Sequence, residues 1–191
     1  MLTQMHRVEA LIGRVWGEAR SGKWGWLASR ILRVGRVFLS TFEKQLDSKR
    51  RIVVPQDFRA LATGPFDGVV CFPSIEADCI EGGGKATFDR YQDLIEELAF
   101  GDPLRTALET SILGGAHQLS FDVAGRITLP DALCQDFGLS DWVAVVGLGD
   151  RFQIWERDAF RAHRAAQRLA AREGLADLRN RQRLARIGAA E

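Results

Sequence analysis

The residues able to do chemistry recur as a phrase. "LDSKRRIVVPQDF" (Leu46 to Phe58) and "FDVAGRITLPDAL" (Phe121 to Leu133) each set an aspartate four residues before an arginine, then an isoleucine, then a proline. Asp47 matches Asp122, Arg51 matches Arg126, Ile52 matches Ile127 and Pro55 matches Pro130, each pair 75 positions apart. A carboxylate facing a guanidinium across a turn supports two chemistries. The aspartate can satisfy the turn amides and clasp its own arginine, which is purely structural. Alternatively the pair can hold the arginine toward an anionic ligand. Both readings stand for the repeat as a whole. The copies differ, however: Lys49, Arg50 and Arg51 are consecutive at the first turn, with Lys44 nearby, whereas the second turn has Arg126 alone. A clasp has no need of adjacent like charges, which repel, so the first turn is the better candidate for an anion.

Catalytic templates fail one by one. "EGGGKAT" lacks the first glycine and the final Ser/Thr of a phosphate-binding loop, since Cys79 and Ala86 stand there. "GLGDRF" from Gly147 has two of three dinucleotide-loop glycines and lies between strand patterns instead of opening a helix. Glu96-Glu97 falls on the polar side of a helical pattern, as a solvated pair. No G-x-S-x-G or H-E-x-x-H signature is present. The three histidines, His6, His117 and His163, are far apart, which argues against zinc. Cys71, Cys79 and Cys134 are odd in number without C-x-x-C spacing, so reduced thiols are expected. The expectation is a protein that is not an enzyme, with no cofactor, metal or small-molecule substrate.

The elements that must position the two turns follow from periodicity. "FLSTFEKQL" alternates into a strand, "DSKR" turns and "RIVVP" returns, with Pro55 stopping the ladder. "QDFRALAT" is a short helix, "VVCFPS" a buried strand, and "DCIEGGG" a strand with a flexible glycine stop. Phe88, Tyr91, Leu94, Ile95 and Leu98 make one face of an amphipathic helix. A second helix starts at the Asp102-Pro103 cap, runs through Leu104, Leu108 and Ile112, and ends at Gly114-Gly115. The β pattern then repeats in "AHQLSFD", "RITLP", "DWVAVVGL" and "RFQIWE", with Val70/Val145 and Glu81/Glu156 extending the spacing of 75. Duplicated halves of this size pack as pseudo-symmetric partners, because neither buries its apolar face alone.

The 191 residues, 46% hydrophobic and 27% charged with a net charge of +1, suit a globular protein. Charge is unevenly spread. Residues 1–36 carry 7 Lys/Arg against 2 Asp/Glu, residues 37–156 carry 10 against 19, and residues 157–191 carry 9 against 4. The basic, Trp-bearing first segment has three open readings: a helix on a membrane surface, a loosely attached helix, or translation truly starting near Val37. No run approaches the roughly 20 apolar residues of a bilayer span, and a membrane partner is not expected. The Ala/Arg-rich end is expected to be helical.

From about Val37 to about Phe160 the chain resembles the MraZ family of bacterial transcriptional regulators, built from two tandem SpoVT/AbrB-like half-domains. The likeness is carried by "FLSTFEKQLDSKRRIVVPQDFR", "GGAHQLSFDVAGRITLP" and "VVGLGDRFQIWE". It implies an α+β fold of interleaved swapped-hairpin β-barrel halves with flanking helices. The division expected is 1–36 extension, 37–84 first half, 85–115 helical connector, 116–159 second half and 160–191 tail. It implies a ring-shaped homo-oligomer in the cytoplasm, associated with the nucleoid. The function implied is repression through G-rich direct repeats in double-stranded DNA upstream of the division and cell-wall gene cluster. Lys49, Arg50 and Arg51 are then expected to contact DNA, Lys44 a phosphate, and Asp47 and Asp122 to orient, with Arg126 in the second turn. The alternative is an oligomeric scaffold or protein-interaction module whose turns are clasps. One departure matters: Arg50 stands where the family usually has the turn glycine that Gly125 keeps. At positive φ an arginine is strained by about 1 kcal/mol or more, so the first hairpin either rearranges or gains a phosphate contact.

Overall fold

Residues 37–62 and 66–188 are described in a computed structural model. The basic N-terminal segment, with its membrane-surface and later-start readings, lies outside them. Each half has the same local plan. β1 (Thr41–Gln45), an Asp47-Arg51 turn, β2 (Arg51–Val53), α1 (Gln56–Leu61), β3 (Gly68–Pro73) and β4 (Ile80–Gly83) make the first. After the helices α2 (Lys85–Glu96) and α3 (Pro103–Leu108) come β5 (His117–Ser120), β6 (Arg126–Thr128), α4 (Asp131–Asp136), β7 (Trp142–Gly147) and β8 (Phe152–Glu156). The last helix, α5, spans Arg157–Gly188, as the Ala/Arg composition predicts.

The halves interlock by exchanging strands. β1 of the first half pairs with β7 of the second, and β5 of the second pairs with β3 of the first, both antiparallel. β4 and β8 join them into a six-stranded antiparallel sheet of order β1-β7-β8-β4-β3-β5, while β2 and β6 form a separate two-stranded ribbon. In two places a residue faces its own repeat equivalent: Ile52 opposite Ile127 in the ribbon, and Ile80 opposite Ile154 in the sheet. The pseudo-twofold axis passes through both.

Those pairs correct the spacing. Ile52 and Ile127 are 75 apart, but Ile80 and Ile154 are 74 apart. Leu46 N–H donates to the Asp141 carbonyl and its equivalent Phe121 donates to Asp67, again 74 apart. The chain between helix and strand is one residue shorter in the second half. Val70 is therefore equivalent to Ala144 and Glu81 to Trp155, not to Val145 and Glu156.

The expected barrel is corrected too. The large sheet is open, with β1 and β5 at its edges, and the ribbon closes over one face by side-chain packing instead of by a continuous ladder. Ile52, Val54, Ile127 and Leu129 are buried there against Val69, Cys71, Val143, Val145, Phe152 and Ile154. Burying each such side chain contributes roughly 1.5–3 kcal/mol. The other face lies under helices: Phe72 packs with Ile95 and Ile112, and Trp155 with Phe160 at the start of α5. The Asp102 cap is as expected, its carboxylate accepting from Leu104 N–H at 2.8 Å. α3 runs into a π-helical turn, Glu109–Leu113.

Three local expectations shift. The glycines of "EGGG" are buried, not a flexible stop: a Cβ on Gly82 would fall 2.5 Å from the Phe152 ring, so strand pairing demands glycine. Leu94, expected on the apolar face of its helix, is 55% exposed, and Leu104 on α3 is 56% exposed. The first hairpin does not rearrange, and Arg50 adopts φ 55° beside φ 71° for Gly125. Both turns close with the same bonds, Arg50 N–H to the Asp47 carbonyl and Gly125 N–H to the Asp122 carbonyl, each 2.8 Å.

Candidate nucleic-acid interface

Strand alternation sorts the ribbon into two faces. Ile52 and Ile127 point into the core, so Arg51, Val53, Arg126 and Thr128 share the outer face. The register sets Arg51 opposite Thr128 and Val53 opposite Arg126, which places the two guanidiniums diagonally across the ribbon. A shallow groove on this side is lined by Lys44, Gln45, Asp47, Arg51, Val53 and Arg126. Four of the residues singled out from sequence thus come together.

The aspartates hold the arginines in matching ways. Asp47 Oδ1 accepts from the Lys49 and Arg51 amides, both at 2.9 Å, while Oδ2 accepts from Arg51 Nε at 2.8 Å. Asp122 repeats this with the Ala124 and Arg126 amides at 2.9 Å and Arg126 Nε at 2.7 Å. The Arg51 side-chain bond, reinforced by its amide, lowers the Asp47 carboxyl to about 2. The Arg126 amide, then its side chain, lowers Asp122 in the same direction. Each clasp occupies one edge of a guanidinium and leaves the rest of the fork, half-exposed, on the outer face.

Lys44 lies beside this face with its ammonium 5.7 Å from the Phe42 ring centroid. Lys49 is exposed at the hairpin tip. Arg50 is placed differently from Arg51. Its side chain leaves the ribbon and pairs with Asp131 at the start of α4, which raises the arginine and lowers the acid from their usual ranges. It therefore stands beside the outer face, already compensated.

Ion pairing is selective. Of the ten Lys and Arg between Val37 and Glu156, seven pair with acids: Arg50, Arg51, Lys85, Arg90, Arg105, Arg126 and Arg151. Lys44, Lys49 and Arg59 have no ion pair among the described residues, and all three border the ribbon hairpins. Arg59 escaped sequence reading because it lies outside the repeated phrase, on α1, and reaches the second turn only in three dimensions. A Cβ on Gly125 would fall 2.3 Å from Arg59 Nη1 and 2.4 Å from Cζ, so the guanidinium fills the space a side chain would take.

Away from the ribbon, one acid is fully buried. Glu81 accepts from Tyr91 Oη at 2.5 Å and Ser74 Oγ at 2.9 Å, with Gln153 Nε2 at 3.4 Å. Arg151 Nε lies 3.2 Å from its Oε2, an ion pair too bent for a hydrogen bond. Burial, then the bond to Glu81, pushes the Tyr91 hydroxyl up. Of these partners Tyr91 alone lies on α2, and its bond to Glu81 ties that helix to the sheet.

The described residues form a duplicated α+β scaffold that interlocks by exchanging strands and presents Asp-held arginines on a narrow ribbon, and no catalytic group is assembled among them. Residues 112–182 match the family model described as "MraZ protein, putative antitoxin-like". The proteins named Transcriptional regulator MraZ from Phenylobacterium zucineum (strain HLK1) and Caulobacter vibrioides (strain NA1000 / CB15N) are 78% and 74% identical over 151 residues, covering 79% of this chain and 94% and 97% of theirs. One of the same name from Rickettsia bellii (strain OSU 85-389) is 40% identical over 146 residues, 75% of this chain and 97% of its own. The chain belongs to the MraZ family, a family of transcriptional regulators and not of enzymes.

Proposed function

We propose that the chain is a sequence-specific, double-stranded-DNA-binding regulator acting as a repressor in the cytoplasm, at the nucleoid. Its sites are G-rich direct repeats upstream of the division and cell-wall gene cluster, engaged by a ring of several subunits. The observation that carries this reading is the outer face of the ribbon. Arg51 and Arg126 are fixed there by Asp47 and Asp122, with Lys44 and Lys49, which have no ion pair among the described residues, alongside. A two-stranded ribbon fits the major groove, and a fixed guanidinium fork matches the O6 and N7 acceptors of guanine. Because the body of the chain is acidic, one subunit offers few phosphate contacts, and affinity depends on several subunits meeting tandem sites together.

The near-identical clasps favour a second reading, an oligomeric scaffold in which the arginines only brace their turns. Binding of the full-length protein to a duplex with G-rich direct repeats, across a salt series, separates the two. A regulator prefers repeats to scrambled DNA, has a steep salt slope, and loses binding in Arg51→Ala while its native mass is unchanged. Equal binding to both duplexes, or an assembly that falls apart in Arg51→Ala, supports the scaffold instead.

A further inference from the structure

Resting on the DNA-binding reading, we propose that Arg59 is the phosphate-contacting cation of the second hairpin, supplied in exchange by the first half of the chain. The second turn, Val123-Ala124-Gly125, carries no cation of its own, so sequence alone assigns that hairpin a single arginine, Arg126.

The geometry points elsewhere. Gly125 is the repeat equivalent of Arg50, and both hold a positive φ. The carbonyls of both residues cross to the other hairpin, Arg50 accepting from Leu129 N–H at 2.9 Å and Gly125 from Val54 N–H at 3.1 Å. The direction in which Arg50 sends its side chain is thus the direction left empty at Gly125, and Arg59 from α1 fills it. The reciprocal position on α4 is Cys134, whose buried thiol lies in the pocket beside Arg50. One guanidinium therefore stands at each turn: from the turn itself in the first hairpin, and from the helix in the second.

The two are not electrically equal. Asp131, the first residue of α4, neutralises Arg50, but its equivalent at the start of α1 is the exposed Gln56. Arg59 pairs with no acid among the described residues, and its buried Nε has no hydrogen-bond partner. A guanidinium seated on a glycine, without a carboxylate, retains its full charge for a phosphate. Each turn then has one cation without an acid partner among the described residues, Lys49 at the first and Arg59 at the second.

The test is the salt dependence of binding by the full-length protein to duplexes with repeat and scrambled sequence. Arg59→Gln should weaken both duplexes by a similar factor and reduce the slope of log K against log salt by about one per engaged subunit, the signature of a lost phosphate contact. Arg59→Lys should keep the slope. Gln56→Asp, an exposed change that supplies the acid Asp131 gives to Arg50, should lower the slope too and guards against misfolding of Arg59→Gln. An unchanged slope in either Arg59→Gln or Gln56→Asp overturns the assignment. If the unaltered protein binds repeat and scrambled DNA alike, the DNA reading itself fails; if it discriminates and Arg59→Gln keeps the full slope, only the role of Arg59 fails.

Discussion

Removing Arg151 should show how strongly the buried acid Glu81 depends on its cation. The Glu81 side chain is 2% exposed and that of Arg151 is 25% exposed, with 3.2 Å between Nε and Oε2. At that separation two unit charges attract by about 5 kcal/mol at an effective dielectric constant of 20. Much of this offsets desolvation, and Glu81 keeps Tyr91, Ser74 and Gln153 when the cation goes. Breaking a buried pair from one side costs about 3–5 kcal/mol; Arg151 is a quarter exposed, so Arg151→Met should lie near the lower end, about 3 kcal/mol. For a chain of this size that corresponds to a drop in Tm of roughly 6–12 °C. In a Glu81→Gln background the same change should cost about 1 kcal/mol, for a coupling of about 2 kcal/mol by double-mutant cycle in chemical denaturation. If Arg151→Met costs the same in both backgrounds within about 0.5 kcal/mol, the two residues are not coupled, and the account of Glu81 as a paired acid docking α2 fails.

Acid should loosen the first hairpin in a defined window. The Asp47 carboxyl is lowered from 3.8 to about 2, so its stabilising effect is fully present above 3.8 and is lost as pH falls through about 2; carboxyl NMR titration should place it there, and Asp47→Asn should remove that part of the acid transition. Gly82→Ala would set a Cβ 2.5 Å from Phe152 Cζ and 3.1 Å from Cys71 Sγ, and overpacking of this kind costs about 1–3 kcal/mol, readable as a lower thermal midpoint. Burial pushes the Cys71 and Cys79 thiols up to about 12 and raises Cys134 as well. A maleimide at neutral pH should therefore leave the native protein unlabelled and modify all three cysteines once it is denatured.

Some of this was legible in residue order because the determinants are local. An aspartate four residues before an arginine builds its own turn in both copies, with a glycine between in the second and Arg50 in its place in the first. Alternation in "TFEKQ" makes a strand with one inward face, and Asp102-Pro103 starts a helix without help from the rest of the chain. Repetition of the whole phrase foretold pseudo-symmetric halves packed on each other, since one half cannot cover its own apolar side; their interleaving was implied only by the family resemblance.

What sequence could not reveal depends on residues far apart along the chain. The Arg50 side chain leaves its ribbon only because Asp131, 81 residues later, waits at the mouth of α4. Gly82 reads as a flexible stop until Phe152 is brought against it. The change of spacing from 75 to 74 is invisible without the strand register, and with it the true counterparts of Val70 and Glu81. The sequence by itself determined the two Asp-braced turns, their apolar inward faces and the surplus of cations at the first. Tertiary structure decided which cations stay uncompensated, because strand exchange sets α1 of one half on the turn of the other and puts Arg59 on Gly125.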